Sequence, residues 1–231
     1  SHQLRMEITS VNGISDENQA NNDAEKEIVA AIGLTDKIPM IEHFSSSTCG
    51  PCVEVNAGME EFTNENEGKF TYTKYPMNWP GSGDPYYTSE AGIRKTFYDV
   101  SGVPKIFFDG IVDESYAIEP EELEAKLATP SIVNIRGAFN MDGNTINVTA
   151  DFMSYIDIDN MKAFISVNEK TTTENVGSNG ETEFHHIMMK MLEDAEGNDI
   201  SISAGEYQSF EFSYDMSTTN VEEISDLEVA L

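Results

Sequence analysis

Apolar and polar residues alternate from Leu4 to Val11, which places Leu4, Met6 and Ile8 on one face of a predicted strand. A polar stretch follows at 12–23, and "AEKEIVAAIGL" (24–34) then predicts a short helix with Ile28, Ala31 and Ile32 inward. Asp23 is its expected N-cap, with Lys26 standing where a capping box needs Glu or Gln. "KIPMIEHF" (37–44) reads as a strand. After it, Cys52, Val55, Met59 and Phe62 recur at spacings of 3, 4 and 3, one face of a helix reaching about Glu67. Gly58 lies inside that helix and marks a candidate bend or close approach.

"KFTYTKY" (69–75) alternates again and predicts a strand, followed by a loop dense in Pro, Gly and aromatics at 76–87. "SEAGIRKTFYDV" (89–100) predicts a helix capped by Ser89. "VPKIFFDG" (103–110) and "IVDESY" (111–116) predict a strand pair turning at Asp109-Gly110. A helix over 119–128 carries Pro120 in its first turn. The first 130 residues thus read β-α-β-α-β-α-β-β-α.

From Ser131 the helical period disappears. Strands are expected at 132–140, 144–156, 161–170, 182–193 and 205–214, with turns such as "MDGN" and "DAEGND" between them. That is the pattern of an antiparallel all-β domain, most simply a sandwich. Two domains follow, 1–130 and 131–231, with the boundary at "LATPS" (127–131). "ISDLEVAL" (224–231) reads as one more strand without a terminator, so further residues beyond Leu231 are expected.

Composition narrows the classes. The chain of 231 residues is 39% hydrophobic, enough for a packed core. No apolar run approaches the roughly 20 residues of a membrane span. "SHQLRMEITS" lacks the basic start and apolar run of a signal peptide, although a leader removed earlier stays compatible. The net charge of −29 is spread over both halves, with 9 basic and 23 acidic residues up to Thr129. Such a surface repels nucleic acid and anionic lipid, whose affinity comes from Lys and Arg. Its plainest role is solubility.

The two cysteines, Cys49 and Cys52, sit in "SSSTCGPCVEV" (45–55), where a predicted strand gives way to a predicted helix. In a redox reading, the helix N-terminus stabilises the Cys49 thiolate, and Cys52, one turn on, resolves a mixed disulfide. Pro51 suits the helix start, and Gly50 leaves room for a bulky partner. In a metal reading the pair supplies two ligands of the four that a structural zinc wants. A second pair is missing, and His185 and His186, adjacent in a predicted strand, point to opposite faces. The third reading is a pair of inert core residues, for which Gly-Pro has no purpose. Some fifty residues on, Val103-Pro104 opens a strand after a helix and its turn. A cis bond there would leave Val103 backbone groups free to pair with a peptide.

Cys49-Gly50-Pro51-Cys52 on a strand-to-helix turn, the order of elements and Val103-Pro104 before "KIFFDG" together resemble the thioredoxin superfamily. The resemblance implies an α/β domain with a central mixed sheet flanked by helices. It makes Cys49 the attacking thiol, Cys52 the resolving thiol and Pro104 the cis-proline opposite them. It also implies a buried acid on the preceding strand to take the proton of the second thiol. Glu42 and His43 contend for that place on opposite faces, and Glu42 is preferred as the acid aligned by "MIEHF". Thr48 stands where the family often has Trp. Thr48, Gly50, Pro51 and Val103 form the expected substrate surface. Trp79, with Tyr86 and Tyr87, forms a candidate apolar lip.

"ETEFHHIMMKMLEDAEGNDI" (181–200) is similar to a segment of thioredoxin-like lipoproteins associated with the outer membrane in Bacteroidetes, which add a β-sandwich domain. Packing is the plainer account of that segment, with Phe184, His186 and Met188 on one face and His185, Ile187 and Met189 on the other. The resemblance implies an extracytoplasmic home, in the periplasm or at the outer membrane or cell surface. It also implies a lipid anchor outside these residues. The expected activity is thiol–disulfide reduction or isomerisation of protein substrates, with a redox-recycling partner, no cofactor beyond the Cys49–Cys52 pair and no metal. The rival class is a non-catalytic binding protein that uses the fold as a scaffold.

Overall fold

A computed structural model describes residues 2–113 and 116–231. Its elements run β1 (His2–Glu7), β2 (Asp23–Ile28), β3 (Met40–Ser45), α1 (Cys52–Glu65), β4 (Thr71–Pro76), α2 (Ser89–Phe97), β5 (Lys105–Phe108), β6 (Ile111–Asp113) and α3 (Pro120–Leu127). Strands follow: β7 (Val133–Asp142), β8 (Thr145–Ser154), β9 (Ile158–Ala163), β10 (Ile165–Thr172), β11 (Phe184–Leu192), β12 (Asn198–Ile202), β13 (Tyr207–Asp215) and β14 (Leu227–Ala230). Residues 114 and 115 of the expected 111–116 strand lie outside the described residues. Among the described residues, no helix is long and apolar enough to cross a membrane.

The central feature is a mixed sheet of order β14-β10-β11-β4-β3-β5-β6. Strand β3 pairs in parallel with β4 and antiparallel with β5. Helices α1 and α3 supply Met59, Phe62 and Leu123 to one cluster, which packs on Ile41, Tyr72, Ile106 and Phe108. Helix α2 supplies Ala91 to a second cluster around Phe44, Tyr75 and Phe107. Ile41 and Phe44 thus bury opposite faces of β3, as an odd separation along a strand requires.

The expected boundary at 130/131 marks where helices stop, but the large sheet runs straight through it. Strand β11, from the second half, lies parallel to β4 with Ile187 opposite Lys74, and β10 and β14 follow it. The physical reason is the edge of β4, whose backbone donors and acceptors need a partner. The sandwich is present in altered form. A three-stranded sheet, β13-β8-β7, buries Ile146, Val148 and Phe152 against Ile165, Val167 and Ile187 of the large sheet. The expected strand 161–170 is two strands in different sheets, β9 pairing β12 and β10 pairing β11. Strand β14 realises the strand expected at the end of the sequence.

Three local expectations are corrected. Residues 23–28 form a strand and not the start of a helix. Ala24, Lys26 and Ile28 pair with Met6, Leu4 and His2, and Arg5 of β1 bridges to Asp23 at 3.0 Å. Cross-strand pairing of this kind overrides the helix propensity of "AEKE". Ile32, expected inward, is 68% exposed. The cap of α2 is Thr88, one residue earlier than Ser89, because its side chain accepts from the Ala91 N–H. In β11 the alternation of faces fails at His186, whose φ of 55° adds a kink. Phe184 and Ile187 therefore share one cluster, and His185 and His186 both line one cleft of about 450 Å³.

Candidate active site

The path of the chain explains where the cysteines stand. Strand β3 ends at Ser45, and the turn that follows carries Cys49, whose N–H donates to the Ser46 carbonyl at 3.0 Å. Helix α1 begins at Cys52 with Pro51 as its cap. Cys49 and Cys52 form a disulfide with Cα atoms 5.3 Å apart. The Cys52 N–H points at Cys49 Sγ at 3.2 Å, the contact that a helix N-terminus offers to a thiolate. Both residues are buried, at 1% and 0% exposure, while Gly50 and Pro51 between them are exposed.

Opposite the pair lies the turn before β5. The Val103–Pro104 peptide is cis, and the Val103 carbonyl oxygen is 3.5 Å from Cys49 Sγ. A cleft of about 560 Å³ runs beside them, lined by Pro51, Val55, Tyr98, Val103, Pro104 and Tyr116. Thr48 is half-buried, and its hydroxyl donates to the Pro80 carbonyl at 2.6 Å. The 76–88 loop is therefore tied to the cysteine turn, and Asp84 accepts the Ser47 N–H at 2.9 Å. Its aromatics mostly serve packing: Tyr86 joins the sandwich core, and Tyr87 and Trp79 lean on the α2 cluster. Trp79 keeps part of its surface, with the Lys95 ammonium 5.3 Å from its ring centre.

Glu42 does not lie on the cysteine side of β3. It is 1% exposed and faces α2, where Arg94 binds it through Nη2 at 2.6 Å and Nε at 3.2 Å. The Tyr75 hydroxyl donates to the same oxygen at 2.8 Å, and the Tyr98 hydroxyl donates to the other. The network uses both Glu42 oxygens on the α2 face of β3, and Arg94 Nη1 has no hydrogen-bond partner among the described residues.

The residue on the cysteine side is His43. It shares its face of β3 with Ser45, whose hydroxyl donates to Asn56 of α1 at 3.0 Å. Asn56 and Cys52 are one helical turn apart on the buried stripe of α1. His43 is fully buried, and its Nδ1 lies 2.8 Å from the Tyr72 hydroxyl. Its Nε2 has no hydrogen-bond partner among the described residues. Directly across in β4 is Lys74, also buried. Burial, and then the neighbouring Lys74, hold the His43 pKa well below its usual value, so the imidazole is neutral at pH 7. Burial lowers Lys74 to about 8, opposed by Glu181, Glu60 and Asp84.

Of the two contenders on β3, His43 and not the preferred Glu42 is on the α1 face, and Lys74, Asn56, Asn179 and Glu181 join its surroundings without a sequence motif to mark them. A lysine in the apolar rhythm of "TYTKYP" was the available signal. Among the described residues, Glu60, Glu183 and His185 bring their ligand atoms within 4.8 Å of one another. His185 Nε2 already lies 3.2 Å from Glu60 and 3.4 Å from Glu183, so the members of this non-specific acidic group contact one another. A disulfide and dithiol couple carries its own two electrons and needs no cofactor.

No family model matches the chain, and no curated protein matches it. Two solved structures resemble it in fold. HBP35 of Porphyromonas gingivalis has a TM-score of 0.63 at 13% identity, covering 84% of this chain and 68% of that one. Protein AGR_C_4864 from Agrobacterium tumefaciens has a TM-score of 0.53 at 12% identity, covering 78% and 79%.

Proposed function

We propose that the protein is a thiol–disulfide oxidoreductase of thioredoxin-like fold that acts on protein or peptide thiols and disulfides. The observation that carries the reading is the Cys49–Cys52 pair at the start of α1 with the Val103 carbonyl 3.5 Å from Cys49 Sγ, just before Pro104. The fold likeness to HBP35 supports it. In the reducing direction the Cys49 thiolate attacks one sulfur of a substrate disulfide. A mixed disulfide forms and the first substrate thiolate leaves. His43 Nε2 then takes the proton of Cys52, whose thiolate attacks Cys49 Sγ. The second substrate thiolate leaves, two electrons have passed to the substrate, and Cys49–Cys52 is the disulfide. A dithiol partner restores the pair. Val103 offers its backbone to an extended substrate segment, and Thr48, Gly50, Pro51 and the exposed part of Trp79 border it. We place the protein outside the cytoplasm, at the periplasm or outer membrane, with the acidic surface excluding nucleic acid as a partner.

The test is trapping. A Cys52→Ala variant should accumulate mixed disulfides with protein substrates, and a Cys49→Ala variant should not. Equal capture by both variants, or by neither, overturns the reading. One observation favours a rival, a binding protein with a structural bridge: both sulfurs are buried. A reduction potential below about −300 mV would favour that rival.

A further inference from the structure

The connection between β10 and β11 comes from the second half of the chain and lies on the cysteine turn. The backbone N–H of Asn179 donates to the Ser47 carbonyl at 3.0 Å. Its side-chain Nδ2 donates to the carbonyls of Cys49 at 3.3 Å and Ser46 at 3.4 Å. The same Nδ2 meets Glu181 Oε2 at 2.5 Å, and Glu181 accepts from Asn56 Nδ2 through both oxygens at 2.9 and 3.0 Å. Gly177 approaches so closely that a Cβ there would stand 2.3 Å from the Ser47 carbonyl oxygen. One asparagine thus holds three backbone carbonyls of the turn that carries Cys49. A glutamate ties the same segment to α1 four residues after Cys52.

Ser46, Ser47 and Cys49 are each 1% exposed, so their carbonyls need partners from the protein, and Asn179 supplies one to each. The chemistry it serves is the position of Cys49 Sγ against the Cys52 N–H. In the disulfide the bridge itself holds the sulfurs together. Once the bridge opens, only the turn keeps Cys49 Sγ at the helix N-terminus, where the thiolate is stabilised.

We propose that Asn179 is a positioning residue of the redox pair, holding the Ser46–Cys49 turn so that the reduced form keeps its Cys49 thiolate at the start of α1. The proposal rests on the oxidoreductase reading and adds to it a control on the potential by the second half of the chain. Losing the two side-chain contacts, to the Ser46 and Cys49 carbonyls, raises the Cys49 thiol pKa and removes stabilisation from the dithiol, while the backbone bond to Ser47 stays. The equilibrium with glutathione, in which two glutathione thiols reduce the bridge and become glutathione disulfide, then moves toward the Cys49–Cys52 disulfide.

The experiment titrates the full chain with reduced and oxidised glutathione and follows thiolate absorbance against pH. Asn179→Ala is expected to lower the equilibrium constant for reduction about tenfold, about 30 mV, and to raise the Cys49 pKa. Asn179→Leu, which keeps the shape and loses the donors, is expected to move both in the same direction if Asn179→Ala does not fold. Ser178→Ala, on the exposed side of the same segment, should match the wild type. Asn179 variants that fold and superimpose on the wild type overturn the positioning role while leaving the oxidoreductase reading standing. A wild-type pair that never equilibrates with glutathione overturns both.

Discussion

The two faces of β3 bury adjacent ionisable residues in opposite ways. Toward α2, Glu42 has a guanidinium and two tyrosine hydroxyls around it, so its charge is paired and its oxygens are used. Toward α1, His43 has one partner and an empty Nε2, and the nearby Lys74 is pushed down to about 8. A satisfied buried charge is a structural device that costs much to break. An unsatisfied buried imidazole beside a lowered lysine is the kind of exception that marks a site of chemistry. Burial is the same on both sides. What differs is the side chain on β3 itself: both Glu42 oxygens are used and His43 Nε2 is not, although Arg94 Nη1 beside Glu42 also has no hydrogen-bond partner among the described residues.

The sharpest way to break this contrast is to remove each side in turn. Glu42→Ala leaves the Arg94 guanidinium buried and unpaired, so the expected loss is about 3–5 kcal/mol of stability, measured by urea unfolding. The glutathione equilibrium of the folded fraction should stay within about twofold of the wild type, and a larger shift would join the two faces.

Lys74→Met tests the other face through pH. The unfolded lysine titrates near 10.5 and the folded one near 8, so between those values the unfolded chain binds more protons. Below pH 8 the buried ammonium carries its full penalty, and stability rises from pH 8 to 10.5 as the proton leaves. Lys74→Met removes this contribution, so the wild type should gain on the variant by roughly 3 kcal/mol across that window. A constant difference would mean that Lys74 is solvated.

His43→Leu should leave the attack by Cys49 unchanged and slow release of the mixed disulfide about 100-fold, as loss of a general base does. Stopped-flow measurement of the two steps separates them. Equal slowing of both would make His43 a packing residue.

Much of the site was legible because it is local. Strand, turn, Cys-Gly-Pro-Cys and helix follow one another within "MIEHFSSSTCGPCVEV", and Val103-Pro104 opens β5 where a strand-leading proline belongs. The parity of β3 was not legible. A strand buried on both faces carries no alternation to say which residue faces which helix, so Glu42 and His43 could not be told apart. The ribbon strand at 23–28 was hidden by helix formers whose pairing with β1 decides the outcome. The kink at His186 defeated the period-two reading of β11. Asn179 lay in "GSNG", a composition that announces a loop and says nothing of which turn the loop will reach.

The pairing of β11 on β4 also sets a schedule. Lys74 waits for Ile187 to be made before the edge of its strand is covered. At ribosomal speeds of about 5–20 residues per second, that interval is on the order of ten seconds. For most of it both cysteines exist while the asparagine that steadies them does not. A newborn chain therefore carries its redox pair while the sheet that frames it is still unfinished, and with two cysteines it has one intramolecular disulfide to form.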